Sequence, residues 1–156
     1  MTDQGPPPHR PGLRLLLVED NPGDVRLLEE TLRHGAWAVH LQVVHDGMDA
    51  LRFMRQESPY AGASRPDLVL LDLNLPGMDG RQVLAEVRSD VRLNGIPLVI
   101  FTSSPADDDV LLAFNFHAEG YLRKPVRLDQ FEQLVERLVT PTRPLGRPAR
   151  DADARP

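Results

Sequence analysis

The chain contains no cysteine among its 156 residues, which removes disulfides, thiolate metal sites and cysteine nucleophiles in one step. It has a single lysine, Lys124, beside seventeen arginines. No apolar stretch is long enough to cross a bilayer, and the longest such runs have the length of buried strands. The start is polar and proline-rich, without the charged residues and apolar core of a signal peptide, so the expectation is a soluble, cytoplasmic protein with no membrane partner. Positive charge is also short: the net charge of -5 leaves no basic field for a phosphate backbone, and direct nucleic-acid binding is not expected. A glycine-rich phosphate loop is missing as well. Where a dinucleotide-binding fold would carry one after its first strand, this chain has Glu19-Asp20-Asn21-Pro22-Gly23-Asp24.

What is present fits one domain. A hydrophobic content of 41% suffices for a real core at this length. Residues 1–12 and 140–156, rich in proline, arginine, alanine and aspartate, read as disordered tails around a folded unit at 13–139, and the second tail is too short to supply an output domain. Within the folded unit, short apolar runs alternate with helical patterns, which predicts a parallel sheet covered on both faces. The runs are 13–18, 39–43, 67–71, about 97–101 and 121–122. The strict alternation at 39–43 suits a half-exposed edge strand, and the continuous run ending at Leu71 suits a strand buried on both faces. Helical spacing follows each run: Val25, Leu28 and Leu32; Ala50, Leu51, Phe53 and Met54 behind an Asp46 cap; Val83, Leu84 and Val87; a fourth helix at about 106–116; and Leu128, Phe131, Leu134 and Leu138. The fold class is therefore α/β, a flavodoxin-like (βα)5 doubly wound parallel sheet of order 2-1-3-4-5.

That order decides where chemistry collects. Ligands bind at the carboxyl ends of the strands, at the switch point between the first and third. There the sequence puts Glu19 and Asp20 on the first tip and Asp72 on the third, with Thr102 and Lys124 on the fourth and fifth. Clustered carboxylates resist ionisation unless a cation shares their charge. Magnesium suits them, since it is a hard ion that takes one or two carboxylates plus a phosphate oxygen and keeps several waters. An ionised aspartate can then attack phosphorus while the metal, a hydroxyl and an ammonium neutralise the equatorial oxygens. Asp72 is the predicted nucleophile; Thr102 and Lys124 are the predicted donors.

With those residues in place, the chain from about Leu13 to Leu138 resembles the receiver domains of two-component response regulators. The resemblance implies that Glu19, Asp20, Asp72 and the backbone carbonyl of Asn74 hold Mg2+, that Asp72 takes phosphate from a phosphohistidine on a sensor histidine kinase, that Lys124-Pro125 is cis, and that Thr102 and Tyr121 form the switch pair. It also implies a signalling acceptor and not an enzyme. The stretch from Asp72 to Gly80, the run Phe101-Thr102-Ser103-Ser104 and the long loop before Arg65-Pro66-Asp67 are similar to small regulators serving bacterial and cyanobacterial phytochromes. On that basis the expected partners are a phytochrome kinase and a second copy of the chain, meeting through the fourth helix, fifth strand and fifth helix.

Each residue alone has a plainer reading. Glu19-Asp20 before Pro-Gly could be a solvated turn, Thr102 is common at strand ends, and Tyr121 is compatible with simple core packing. Phe114 and Phe116 lie two apart and cannot share a helical face, so they read either as packing against the Phe131 helix or as part of the association surface. The five histidines show no paired ligand spacing. Two functional rivals remain: a phosphate sink or relay intermediate, and a phosphoaspartate-forming phosphohydrolase. The latter class carries an aspartate two residues after its nucleophile, where this chain has Asn74.

Overall fold

The computed structural model describes residues 11–103 and 118–139. The predicted helix at 106–116 with Phe114 and Phe116, together with Ser104, His9, His117 and the chain before 11 and after 139, lies outside the described residues. The described elements are β1 (Gly12–Val18), α1 (Pro22–Arg33), β2 (Ala38–Val44), α2 (Gly47–Arg55), β3 (Leu68–Leu71), α3 (Gly80–Ser89), β4 (Leu98–Thr102), β5 (Gly120–Arg123) and α4 (Leu128–Leu138). All four strand pairings are parallel, and the sheet order is β2-β1-β3-β4-β5.

Side chains alternate across a strand, so each buried strand feeds two cores. Leu16 and Val18, Val69 and Leu71, and Leu98 and Ile100 pack on one face with Leu51, Phe53 and Met54 of α2 and Val83, Leu84 and Val87 of α3. Leu13, Leu15 and Leu17, Leu68 and Leu70, and Val99 and Phe101 pack on the other with Leu28 and Leu32 of α1 and Phe131, Leu134 and Val135 of α4. Two-sided burial explains why β3 and β4 are apolar without alternation. The edge strand β2 keeps alternation, with His40 and Gln42 exposed between half-buried Val39, Leu41 and Val43.

The boundaries differ from expectation by a residue or two. Gly12 already pairs with Ala38, and the Ala38 N–H donates to the Pro11 carbonyl at 2.7 Å, so the ladder starts inside the predicted N-terminal tail. Thr102 is the last residue of β4, not the first beyond it. In α4 the buried set is Phe131, Leu134 and Val135, while the predicted Leu128 and Leu138 are half-buried at the helix ends.

Local chemistry sets the helix starts. Asn21 accepts from the N–H groups of Gly23 and Asp24, and Pro22 occupies the first helical position, where its missing N–H costs nothing. Asp46 accepts from the Asp49 N–H and caps α2 as the sequence predicts. Asp79 and Gln82 form a reciprocal capping box on α3. Between β3 and α3 the chain turns through Pro76-Gly77, with Gly77 at φ +68°, a left-handed conformation that glycine adopts without strain.

Candidate functional site

The parallel ladder runs one residue past the ends of its strands and carries the polar groups with it. The Glu19 N–H donates to the Val44 carbonyl at 3.0 Å, Asp72 to Val18 at 3.1 Å, and Lys124 to Thr102 at 2.7 Å. Glu19, Asp72 and Lys124 are thus each fixed to the neighbouring strand through a backbone hydrogen bond. Lys124-Pro125 is cis, as the resemblance implies.

At this rim Glu19, Asp20 and Asp72 each offer a carboxylate oxygen, and the three lie within 4.8 Å of one another. Glu19 is fully buried, Asp72 is 5% exposed and Asp20 faces solvent. Three hard oxygen donors, open to water on one side and closed on the other, fit a divalent cation that retains part of its hydration shell. Asp72 sits between two kinds of donor: one oxygen accepts from the Asn74 N–H at 2.9 Å, the other lies 3.1 Å from the Lys124 ammonium. Glu19 is held in the same way, by the Asn21 N–H at 3.1 Å and by Lys124 at 2.5 Å.

Lys124 also meets Asp24 at 3.0 Å and stands 5.1 Å from the centre of the Phe101 ring. Burial pulls the pKa of its ammonium down, but the hydrogen bonds to Glu19 and Asp24 and the charge of Asp72 outweigh that, and the net shift is upward. Lys124 is therefore a fixed cation at any physiological pH. Burial pushes Glu19 up, the bonds to Lys124 and the Asn21 N–H offset this only in part, and Asp72 adds repulsion. One ammonium does not fully compensate this set of carboxylates, which leaves the rim with an appetite for more positive charge.

The other predicted residues fall as follows. Thr102 is buried at the end of β4. Tyr121 pairs with Ile100 in the register and packs at the margin of the α2–α3 core, on the face that Ile100 and Thr102 share by alternation. Asn74 is exposed and lends its N–H to Asp72. His34, His40 and His45 are exposed and form no cluster; the His45 Nδ1 lies 3.1 Å from the Glu19 carbonyl.

Three contributors escaped the sequence reading. Asp24 belonged to the turn cluster, and the signal was its place in the first helical turn, where side chains lean back toward the rim. Phe101 entered only as the end of the fourth apolar run and the first residue of the run to Ser104, with no role at the site. Gly80 opens α3 directly against the backbone that bears Asp72: a Cβ there would lie 2.4 Å from the Asp72 carbonyl oxygen and 2.6 Å from the Leu73 Cα. No sequence pattern marks such an approach.

Residues 15–136 match the family described as the response regulator receiver domain. Among curated relatives the chain is 39% identical to response regulator Rcp1 of Synechocystis sp. over 136 residues, covering 87% of this chain and 90% of Rcp1. The structure of Rcp1 with Mn2+ bound is similar at a TM-score of 0.70 and 40% identity, covering 85% of this chain and 99% of that one. Phosphorylated RcpA, a cyanobacterial phytochrome response regulator, aligns at a TM-score of 0.71 and 42% identity over 83% of this chain and 95% of its own. The bacteriophytochrome response regulator RtBRR gives 0.75 and 33% over 87% and 83%. The matched span contains the acidic rim and the rim lysine, and the chain belongs to the response regulator receiver domain family and has the flavodoxin-like fold of its members.

Proposed function

We propose that this receiver domain accepts a phosphoryl group on Asp72 from the phosphohistidine of a sensor histidine kinase, in a magnesium-dependent reaction, and that the kinase is a phytochrome. The observation that carries the reading is the setting of Asp72, a nearly buried carboxylate with one oxygen on the Lys124 ammonium and the other on the Asn74 N–H, facing Glu19 and Asp20. A carboxylate so placed is oriented and surrounded by donors for developing negative charge. A carboxylate oxygen attacks phosphorus, the phosphorus–nitrogen bond breaks, its electron pair stays on the imidazole, and an acyl phosphate results. Magnesium, when bound by Glu19, Asp20, Asp72 and the Asn74 carbonyl, supplies positive charge against both the carboxylates and the phosphoryl oxygens. Lys124 contributes a fixed ammonium and Thr102 a hydroxyl donor.

The phytochrome partnership rests on the likeness to Rcp1, RcpA and RtBRR. Asn74, in place of a proton-handling aspartate, supports a signalling acceptor over a hydrolase. Phosphoryl oxygens draw Thr102 toward the site, and Tyr121, its diagonal neighbour on the same sheet face, follows into the vacated space. The surface formed by the predicted helix at 106–116, β5 and α4 then changes its association, with a second copy as the proposed partner. The proposed location is the cytoplasm; no described helix is long and apolar enough to cross a membrane.

Acetyl phosphate with magnesium, followed by intact-mass measurement, tests the acceptor. A phosphate-sized adduct is expected on the wild type and not on Asp72→Asn; an adduct retained by the variant refutes the assignment. Phosphotransfer from a purified phytochrome kinase tests the partner, and sedimentation with and without beryllofluoride tests the association.

A further inference from the structure

The Lys124 ammonium has three N–H donors, and the structure gives it three carboxylate partners: Glu19 at 2.5 Å, Asp24 at 3.0 Å and Asp72 at 3.1 Å. The Phe101 ring lies beside it, with its centre 5.1 Å from the nitrogen. The ammonium is therefore saturated. A phosphoryl group arriving on Asp72 brings further oxygens toward the same cation, and a donor becomes available only if one of these contacts is given up.

The three contacts differ in what their loss leaves behind. Releasing Glu19 takes the ammonium from a carboxylate whose side chain is 1% exposed, where water cannot enter to replace it. Asp72 is the residue being modified, so its contact is converted and not lost. Asp24 has a side chain 29% exposed, in the first turn of α1, where water can replace the ammonium and the helix N-terminus favours a negative charge. The weakest hold is the one on Asp24.

We propose that Asp24 is a positioning residue that competes with the phosphoryl group for Lys124: it holds the ammonium in the resting site, releases it when Asp72 is modified, and thereby lowers the affinity of the rim for a phosphoryl group. The proposal rests on Asp72 being the acceptor, and deepens that reading by naming the contact that opposes it.

Because Lys124 is the only lysine, protein labelled with [ζ-15N]lysine carries a single side-chain ammonium reporter. Beryllofluoride, a mimic of the acyl phosphate, is titrated at saturating magnesium into wild type, Asp24→Asn, Asp24→Glu and Asp72→Asn, and the lysine resonance is followed. Removing one partly exposed charge-assisted hydrogen bond and one negative charge is expected to tighten beryllofluoride binding about tenfold in Asp24→Asn. The lysine resonance of that variant should shift before any ligand is added. Asp24→Glu, which keeps a competing carboxylate, should bind near the wild-type affinity. Unchanged or weaker binding by Asp24→Asn overturns the inference, as does equal tightening in Asp24→Glu, which would assign the effect to the helix start. Loss of binding in wild type, or its retention in Asp72→Asn, would instead sink the acceptor reading beneath it.

Discussion

Gly80→Ala isolates how tightly the first turn of α3 is fitted against the acceptor loop. The added Cβ would lie 2.4 Å from the Asp72 carbonyl oxygen, 2.6 Å from the Leu73 Cα and 3.1 Å from the Asp72 carbonyl carbon. Ordinary contact begins near 3.4 Å, so the backbone must open by about 1 Å, and every atom that meets the methyl group is main chain, which has no rotamer to yield. Gly80 also donates its N–H to the Leu73 carbonyl at 3.2 Å, and that bond is stretched by the same movement. Overpacking of this kind costs about 1–3 kcal/mol. For a chain of this length, 2 kcal/mol corresponds to a Tm lower by roughly 4–8 °C. The functional effect should be larger, since a displacement of about 1 Å at a reacting group costs on the order of a hundredfold in rate. Urea unfolding and the rate of acetyl phosphate labelling, read by intact mass at a temperature where the variant stays folded, measure the two effects separately. Gly62→Ala is the control: a Cβ there has nothing within 4 Å, and both readouts should stay at wild-type values. If Gly80→Ala matches that control in both, the close approach does not position Asp72.

Three other perturbations follow from the same geometry. In metal-free buffer Glu19 has a folded-state pKa above its ordinary 4.5, so the folded state holds the proton longer than the unfolded one; stability should fall as pH rises from about 4.5 through the elevated value, and Glu19→Gln should flatten that slope in urea titrations at several pH values. Divalent cation should raise the unfolding free energy by about 2.7 kcal/mol at a hundred times its dissociation constant, and Asp20→Asn should remove most of that gain; a Tm insensitive to magnesium would count against the carboxylate rim as a metal site. Asp46→Ala removes the side-chain acceptor of the Asp49 N–H at the start of α2 and should destabilise by about 1 kcal/mol in urea unfolding, whereas Asp46→Asn, which keeps an acceptor, should stay near wild type; equal losses in both would count against the cap.

The fold was legible because its signals are periodic. An apolar run without alternation identified β3 as a strand buried on both faces, and the alternating run at Val39–Val43 identified the edge. The site was legible for a related reason: a doubly wound sheet sends successive strand tips to one rim, so residues at the ends of apolar runs meet whatever their separation in sequence. Glu19, Asp20, Asp72 and Lys124 were assigned to one rim in this way, and their side chains do come together there; Thr102 was assigned with them and ends β4. Asp24 and Phe101 were not, because both obey a local pattern, a helix start and a core strand, that fully accounts for them until the lysine is placed between them.

Composition and periodicity by themselves determined the parallel sheet and put acidic residues and one ammonium at the ends of its apolar runs; the strand order came from the fold class those runs fit. Tertiary structure alone decided how that ammonium divides its donors among Glu19, Asp24 and Asp72, and how closely α3 approaches the acceptor backbone at Gly80. The physical reason is one of range. Hydrophobic pattern depends on residue type at fixed spacing and is written along the chain, whereas a hydrogen bond or a steric contact depends on tenths of an ångström between groups a hundred residues apart, which only the packed molecule fixes.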